Sequence, residues 1–442
     1  MLLRSRAGRA LAPAALTALA ALAPGATAQA AEKAVWGPTT LPGGAPAFGL
    51  YGELGIDTLQ LGLSWADVAP TRPAVASDPA DRAYRWPAEI DAAASQAAGR
   101  GIRLALLVTN APPWANGGRP PIWAPQDPQV FAAFLTAAAR RYPAVRRWMI
   151  WGEPNRADRF QPNGANDPVA PRAYAALLDA AYRSLRRANR ANRVIGGMTW
   201  TNGTVKPRDF VRWMRLSNGT PPRLDWYGHN PFPFRYPRLT EPPVGGFRDI
   251  SDTDTLSREV ARAYGRMVPL WLSEYTIQTQ RGSDIFATFV TEPDQARYLT
   301  AGYKIADDVG ARVAGLGWLS LLDEPEAPGS ANWGVMTHGL RRKPSFRALA
   351  RAPSERFAPN VTVKRARGRG LRVNVVLVPR RSGVIRVELR RRGRRLDREL
   401  VHGKAARKQT VRLRAATRPG GRYTVVVRSS RAATTRRNVR VR

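Results

Sequence analysis

The chain has 442 residues, 44% of them hydrophobic, and a net charge of +37, enough for one large domain with a buried core and a smaller second one. It has no cysteine, which excludes disulfides, thiolate metal sites and a cysteine nucleophile. Its three histidines, His229, His338 and His402, are too few to favour a multi-histidine zinc centre, and no metal or organic cofactor is expected.

Arg4, Arg6 and Arg9 form a basic start, followed by a short Ala-rich apolar stretch (10–23) broken by Pro13. ATAQAA (26–31) then offers small residues at Ala28 and Ala30. This pattern reads as a secretory signal peptide over residues 1–30, and the stretch is too short and weak for a stable membrane span. The expectation is an exported protein, secreted or extracellular, with no membrane contact after signal removal.

From about residue 33 to 350, short apolar runs alternate with longer amphipathic ones, as repeated βα units do. Strands are predicted at Lys33–Gly37, Asp57–Ser64, Arg103–Thr109, Arg147–Trp151, Arg193–Met198, Leu224–His229, Val268–Ser273 and Ala314–Leu319. Helices are predicted to open at Asp127-Pro128, at Pro171 and at Glu292-Pro293. Eight such units predict an α/β fold, a closed (β/α)8 TIM barrel over residues 31–352. The rival is a doubly wound open sheet, but no GxGxxG or GxxxxGK[ST] motif follows a strand.

Residues 353–360, within RAPSERFAPN, read as a linker. Beyond it the hydrophobic period becomes two, in runs such as LRVNVVLVP and GRYTVVVRS. A small all-β, sandwich-like domain is expected over 361–442. Residues 359–442 carry 27 Lys and Arg against three acids, Glu388, Asp397 and Glu399, so most of the excess charge lies there. Arg alternating with Val or Leu places it on the solvent face. Such a surface suits attachment to an anionic cell-wall polymer; the plainer reading is a solvated sheet in an arginine-favouring composition. One aromatic, Tyr423, leaves no stacking platforms for single strands, so no specific nucleic acid is expected. The protein is expected to be a monomer.

Two of the apolar runs stop at glutamates. WMIWGEPN (148–155) ends in Glu153, and VPLWLSEYT (268–276) carries Glu274. In a parallel barrel the C-terminal strand ends are where active sites form. A plain alternative makes Glu153 a structural acid paired with Arg156.

WMIWGEPNR (148–156), LWLSEY (270–275) and GWLSLLD…GL…RKPSFRAL (317–349) resemble the large clan of retaining glycoside hydrolases with a (β/α)8 barrel, which includes cellulase-type and xylosidase/iduronidase-type families. The resemblance runs from about Val35 to Ala350. It implies an acid/base glutamate ending strand 4 and a nucleophile ending strand 7, and Glu153 and Glu274 fall at those ordinals. The implied activity is hydrolysis of O-glycosidic bonds in a β-linked glycan or glycoside, hence polysaccharide degradation, through a glycosyl-enzyme intermediate. The alternative is an inactive barrel that binds cell-wall or extracellular glycan, anchored by the basic domain.

Residue types that bind sugars occupy other strand ends: Asn110 and Trp114 after strand 3, Asn202 after strand 5, His229 at strand 6 and Trp318 on strand 8. Asn155 joins this substrate-binding set and also suits a role in steadying the loop that aims Glu153. Trp151 is expected to bury Glu153 and, with the charge of Glu274, to keep it protonated. Three departures from the clan's pattern stand out. Gly152 replaces the usual Asn before the acid/base, Gln60 stands where an arginine often meets the nucleophile, and Phe232 stands where a tyrosine is common.

Overall fold

The computed structural model describes residues 31–240, 245–280 and 288–354, and, further on, residues 360–365, 370–377, 383–403, 409–416, 421–429 and 432–441. The predicted signal segment (1–30) and most of the linker (355–359) lie outside these residues.

Eight strands close into a parallel barrel in sequence order: β1 (Glu32–Trp36), β2 (Thr58–Ser64), β3 (Arg103–Thr109), β4 (Arg147–Ile150), β5 (Arg193–Trp200), β6 (Trp226–Asn230), β7 (Leu270–Tyr275) and β8 (Val313–Leu319). β1 pairs with β8, Val35 opposite Trp318, and no edge remains. These strands are apolar on both faces because the helices cover the outside and side chains fill the inside. The outer layer joins strands to helices through Val35, Leu59, Leu106, Ile150, Tyr227 and Leu272. Ala34, Ala105, Met149, Ile195, Met198 and Trp271 fill the interior.

The helices start where local chemistry demands. The helix Pro128–Arg141 has Asp127 as N-cap, its carboxylate accepting from the Gln129 N–H, with Pro128 at the first position. The helix Glu292–Val309 is capped by Thr291, with Pro293 in its first turn. One start differs from expectation. The helix containing Pro171 begins two residues earlier, at Val169, because proline fits anywhere in a first turn where N–H groups lack partners.

The barrel floor is a polar knot. Glu32, at the start of β1, accepts from Thr58 Oγ1 (2.6 Å) on β2. It also binds the Arg147 guanidinium on β4 through both oxygens and pairs with Arg103 (3.3 Å) on β3. Arg147 in turn lies over the Trp226 ring (5.7 Å), and Trp226 stacks on Trp271 (5.5 Å, 7° between planes). Trp271 Nε1 donates to Gln60 Oε1 (2.9 Å), and Gln60 Nε2 donates to the Ser273 carbonyl (2.9 Å). A continuous interior column therefore runs from the floor to the residue before Glu274.

The C-terminal part forms two antiparallel sheets. One has the order β13-β10-β9 and the other β12-β11-β14-β15, with β9 (Asn360–Arg365), β10 (Gly370–Leu377), β11 (Gly383–Arg391), β12 (Arg394–Gly403), β13 (Gln409–Ala416), β14 (Gly421–Ser429) and β15 (Ala432–Val441). Leu371, Val373, Val375, Val387, Leu389, Leu413, Tyr423 and Val425 pack together between them. The period-two arginines point outward, and like charges face each other across strands: Arg372 opposite Arg414, and Arg386 opposite Arg428.

Candidate active site

Glu153 does not sit on β4. It lies three residues past Ile150 in a sharp turn in which Trp151 (φ 60°) and Glu153 (φ 51°) both adopt left-handed backbone, a conformation costly for non-glycine residues unless the surroundings enforce it. Here they do. The Trp151 N–H donates to the Val108 carbonyl on β3 (2.9 Å), and the Glu153 N–H donates to Met198 O on β5 (2.9 Å). Met198 is available because β5 shifts register between Gly196 and Thr199, a bulge that turns its carbonyl toward the turn. Asn155 completes the lock. Its amide donates to the carbonyls of Trp200 and Val205 (both 3.0 Å) and its oxygen accepts from the Trp200 N–H (2.8 Å).

Glu274 depends on a second irregularity. Strict alternation along β7 would send it outward with Leu272, but the ladder to β8 shifts between Leu272 and Tyr275. Leu272 and Tyr275 both face the helices, and Glu274 turns into the barrel mouth. There Asn230, the last residue of β6, holds Glu153. Its Nδ2 donates to Glu153 Oε1 (3.0 Å).

The charges around the two acids are unequal. Glu153, 9% exposed, accepts a hydrogen bond from Arg156 Nη1 at Oε2 (2.8 Å). Arg156 is held independently. Asp158 takes its Nε and Nη2 (3.0 and 2.6 Å), and its guanidinium lies 4.7 Å over the Trp200 ring. Among the described residues no lysine or arginine forms an ion pair with Glu274. Burial, and then the negative charge of Glu153, push the Glu274 carboxyl up, only partly offset by the positive charges of Arg159 and Arg156. The expected source of Glu153 burial is corrected as well. Trp151 points away, with Nε1 donating to the Arg159 carbonyl and its ring edge-on to Phe160 (5.3 Å).

The predicted sugar-binding residues divide. Asn110 (φ 64°) and Trp114 lie after β3 and are partly exposed. Trp114 is anchored by Nε1 to the Ala69 carbonyl (2.8 Å) and stands edge-on to Trp65. Asn202 is partly exposed, with Oδ1 accepting from Lys206 Nζ (2.6 Å). Three residues serve the framework instead. Asn155 spends its amide on backbone groups, as above. Trp318 is fully buried, its indole donating to the Trp333 carbonyl (3.1 Å) and its ring edge-on to Tyr275. His229, 1% exposed, faces the helix layer with Nδ1 on Thr199 Oγ1 (2.8 Å) and Nε2 on the Arg248 carbonyl (2.9 Å). A carbonyl only accepts, so Nε2 carries the hydrogen and neither nitrogen is free for a sugar.

Burial lowers the His229 imidazole from its usual 6.5 to about 4. The unfolded chain then binds a proton that the folded protein refuses. Stability is complete above about pH 6.5 and is lost as the pH falls toward about 4. The difference corresponds to about 3 kcal/mol. Unfolding free energies measured across that window should decline in the native protein and decline less in His229→Asn, whatever the variant's baseline. Parallel slopes would assign the acid sensitivity to another group.

Asn230 and Arg156 are the site residues that the strand-end pattern left in the background. For Arg156 the available signal was its i,i+3 spacing from Glu153. For Asn230 it was its place one residue after His229, on the opposite face of the strand. The departures also gain physical content. Gln60 is fully buried and bonded within the interior column. Phe232 is buried. A Cβ built on Gly152 would meet only Leu107 Cδ2, at 3.4 Å, so the position has room for a side chain.

The architecture is a closed (β/α)8 barrel followed by a two-sheet β-sandwich, and glycoside hydrolases are among the solved structures that share it. In particular, the structure is similar to that of a family 39 glycoside hydrolase from the gut symbiont Bacteroides cellulosilyticus (TM-score 0.54, 15% identity, covering 87% of this chain and 81% of that one). It is similar also to a monomeric β-xylosidase from Caulobacter crescentus (TM-score 0.50, 13% identity, covering 91% and 97%). At these identities the likeness is one of fold. No protein-family model and no curated protein matches the sequence.

Proposed function

We propose that the protein is an exported, retaining glycoside hydrolase that cleaves a β-linked glycan or glycoside and works as a monomer. The observation that carries this reading is that the turn after β4 and the register shift of β7 bring Glu153 and Glu274 to the same barrel mouth, where Asn230, at the end of β6, holds Glu153. A retaining reaction uses two such groups about 5–5.5 Å apart. Glu274 as carboxylate attacks the anomeric carbon and forms a glycosyl ester, while Glu153 protonates the departing oxygen. Glu153 then takes a proton from water, which hydrolyses the ester. Asn230 steadies Glu153, and Asn110, Trp114 and Asn202, partly exposed after β3 and β5, are the side chains offered to the sugar.

The test is release of reducing sugar from a panel of β-linked polysaccharides and aryl β-glycosides, with proton NMR of the first product to read its anomeric configuration. Retained configuration supports the reading, and an inverted first product would refute it. Binding without cleavage across the panel would support the second reading, a glycan-binding barrel, which the absence of a cation paired with Glu274 among the described residues favours.

The basic sandwich is assigned to attachment, holding the exported protein on an anionic cell-wall polymer. Facing arginines on open sheet surfaces attract polyanions without reading sequence or shape. The full protein should therefore bind immobilised anionic polymer at low salt and elute as screening shortens from about 10 Å at 0.1 M to about 3 Å at 1 M. Retention at 1 M salt would mean that something other than charge holds it.

A further inference from the structure

Resting on the attachment assigned above to the basic sandwich, we propose that the outer face of its three-stranded sheet is the binding face, and that its ligand is a linear phosphate-bearing polymer gripped by Arg372, Arg412 and Arg414. The two sheets differ chemically. The acids of the sandwich, Glu388, Asp397 and Glu399, all lie on β11 and β12 of the four-stranded sheet. There Glu388 pairs with Arg390 (2.7 Å), and Arg391 lies over the Tyr423 ring (5.3 Å). By contrast β9, β10 and β13 read NVTVKR, GLRVNVVL and QTVRLRAA, without an acid. Leu371, Val373, Val375, Val411 and Leu413 turn into the core, so Arg372, Asn374, Thr410, Arg412 and Arg414 take the opposite face. The three arginines are exposed, and among the described residues none of them forms an ion pair.

Register gathers these residues into a patch. Arg372 stands directly opposite Arg414 and Asn374 opposite Arg412, while β9 brings Lys364 to the position paired with Arg372 on its other side. Facing Cα atoms in an antiparallel pair lie about 4.5–5.5 Å apart, and Arg412 and Arg414 are about 7 Å apart along their strand. Like charges directly opposite each other destabilise a sheet. The unliganded face therefore holds a repulsion that an anion between the guanidinium groups would remove. Asp397 reaches across from β12, but its oxygens go to the backbone N–H groups of Arg414 (2.6 Å) and Arg398 (2.8 Å). The geometry selects phosphate. Each guanidinium offers a planar fork of donors. A flat carboxylate meets one fork along its edge, whereas a tetrahedral phosphate presents oxygens out of any single plane and fits between two. Arg412 supplies the next contact along β13, so a chain of phosphates suits the face better than a single ion.

The test uses the full chain and two charge-matched variants. The first combines Arg372→Gln, Arg412→Gln and Arg414→Gln. The second combines Arg386→Gln, Arg398→Gln and Arg422→Gln, at exposed positions of the four-stranded sheet. Affinity for inorganic polyphosphate is measured across a salt series. The first variant should flatten the slope of log affinity against log salt by about 3, one unit per lost phosphate contact. The second should keep a slope near that of the wild type. Equal losses in the two variants would overturn the face and leave attachment by diffuse charge standing. Binding to polygalacturonate or duplex DNA at least as tight as to polyphosphate would overturn the phosphate polymer as occupant. A wild-type protein that binds none of these polymers removes attachment itself, and this proposal with it. Melting gives a readout independent of binding. Without polymer at low salt, the first variant should melt no lower than the wild type, because it relieves the repulsion. A clearly lower Tm would make the arginines structural supports and refute the proposal.

Discussion

Replacing Glu274 with alanine is expected to reduce turnover on the order of 10⁴-fold or more, about 5.5 kcal/mol of barrier, because it removes the group that forms the glycosyl ester in the proposed reaction. Azide should restore turnover by filling the space the carboxyl leaves, and its glycosyl azide should have inverted configuration. Glu153→Ala should behave differently. Substrates with good leaving groups need little protonation, so they should still form the ester, and azide should then give a product of retained configuration. A Glu274→Ala protein that remains fully active would remove the basis of the proposed mechanism. So would azide products whose configurations are exchanged between the two variants, since that would swap the roles.

The second large effect concerns stability alone. Glu32 is buried at the barrel floor, where it neutralises Arg147 and Arg103 and accepts from Thr58. In Glu32→Ala the Arg147 guanidinium would remain against Trp226, deep in the floor, without its anion. Breaking a buried pair by deleting one partner costs about 3–5 kcal/mol, far more than the under about 1 kcal/mol of an exposed pair. Denaturant unfolding should show that loss. Activity per folded molecule should persist, because the mouth lies at the opposite end of the strands. A loss no larger than that of an exposed pair would show that water reaches the floor on mutation.

The eight strands were legible because barrel strands are buried on both faces and read as near-continuous apolar runs. Their ends moved by one or two residues. Glu153 and Glu274 were legible as places where apolar runs stop at a carboxylate, but the reason they meet was not. Glu153 is delivered by a left-handed turn fastened to Met198, and Glu274 by a register shift in β7; both are decided by neighbouring strands distant in sequence. The same limit explains His229 and Trp318. A polar or aromatic letter near a strand end can face the mouth or the helix layer, and only the bulges of β5 and β7 determine which. Gln60 looked like a missing contact to the nucleophile. In the fold it is a hydrogen-bonding hub beneath it.

The arginine ladders of the C-terminal sheets have a consequence for the protein's behaviour in a crowd. Two open sheets present four edge strands, β9, β13, β12 and β15, and exposed edges invite strand pairing between molecules. No disulfide tethers this domain. The edge strand β13 nevertheless presents the exposed Arg412 and Arg414, so a second copy pairing along that edge brings cation against cation. The same charges that favour a polyanion therefore keep the molecules apart from one another, and a high concentration at a negatively charged surface need not end in aggregation.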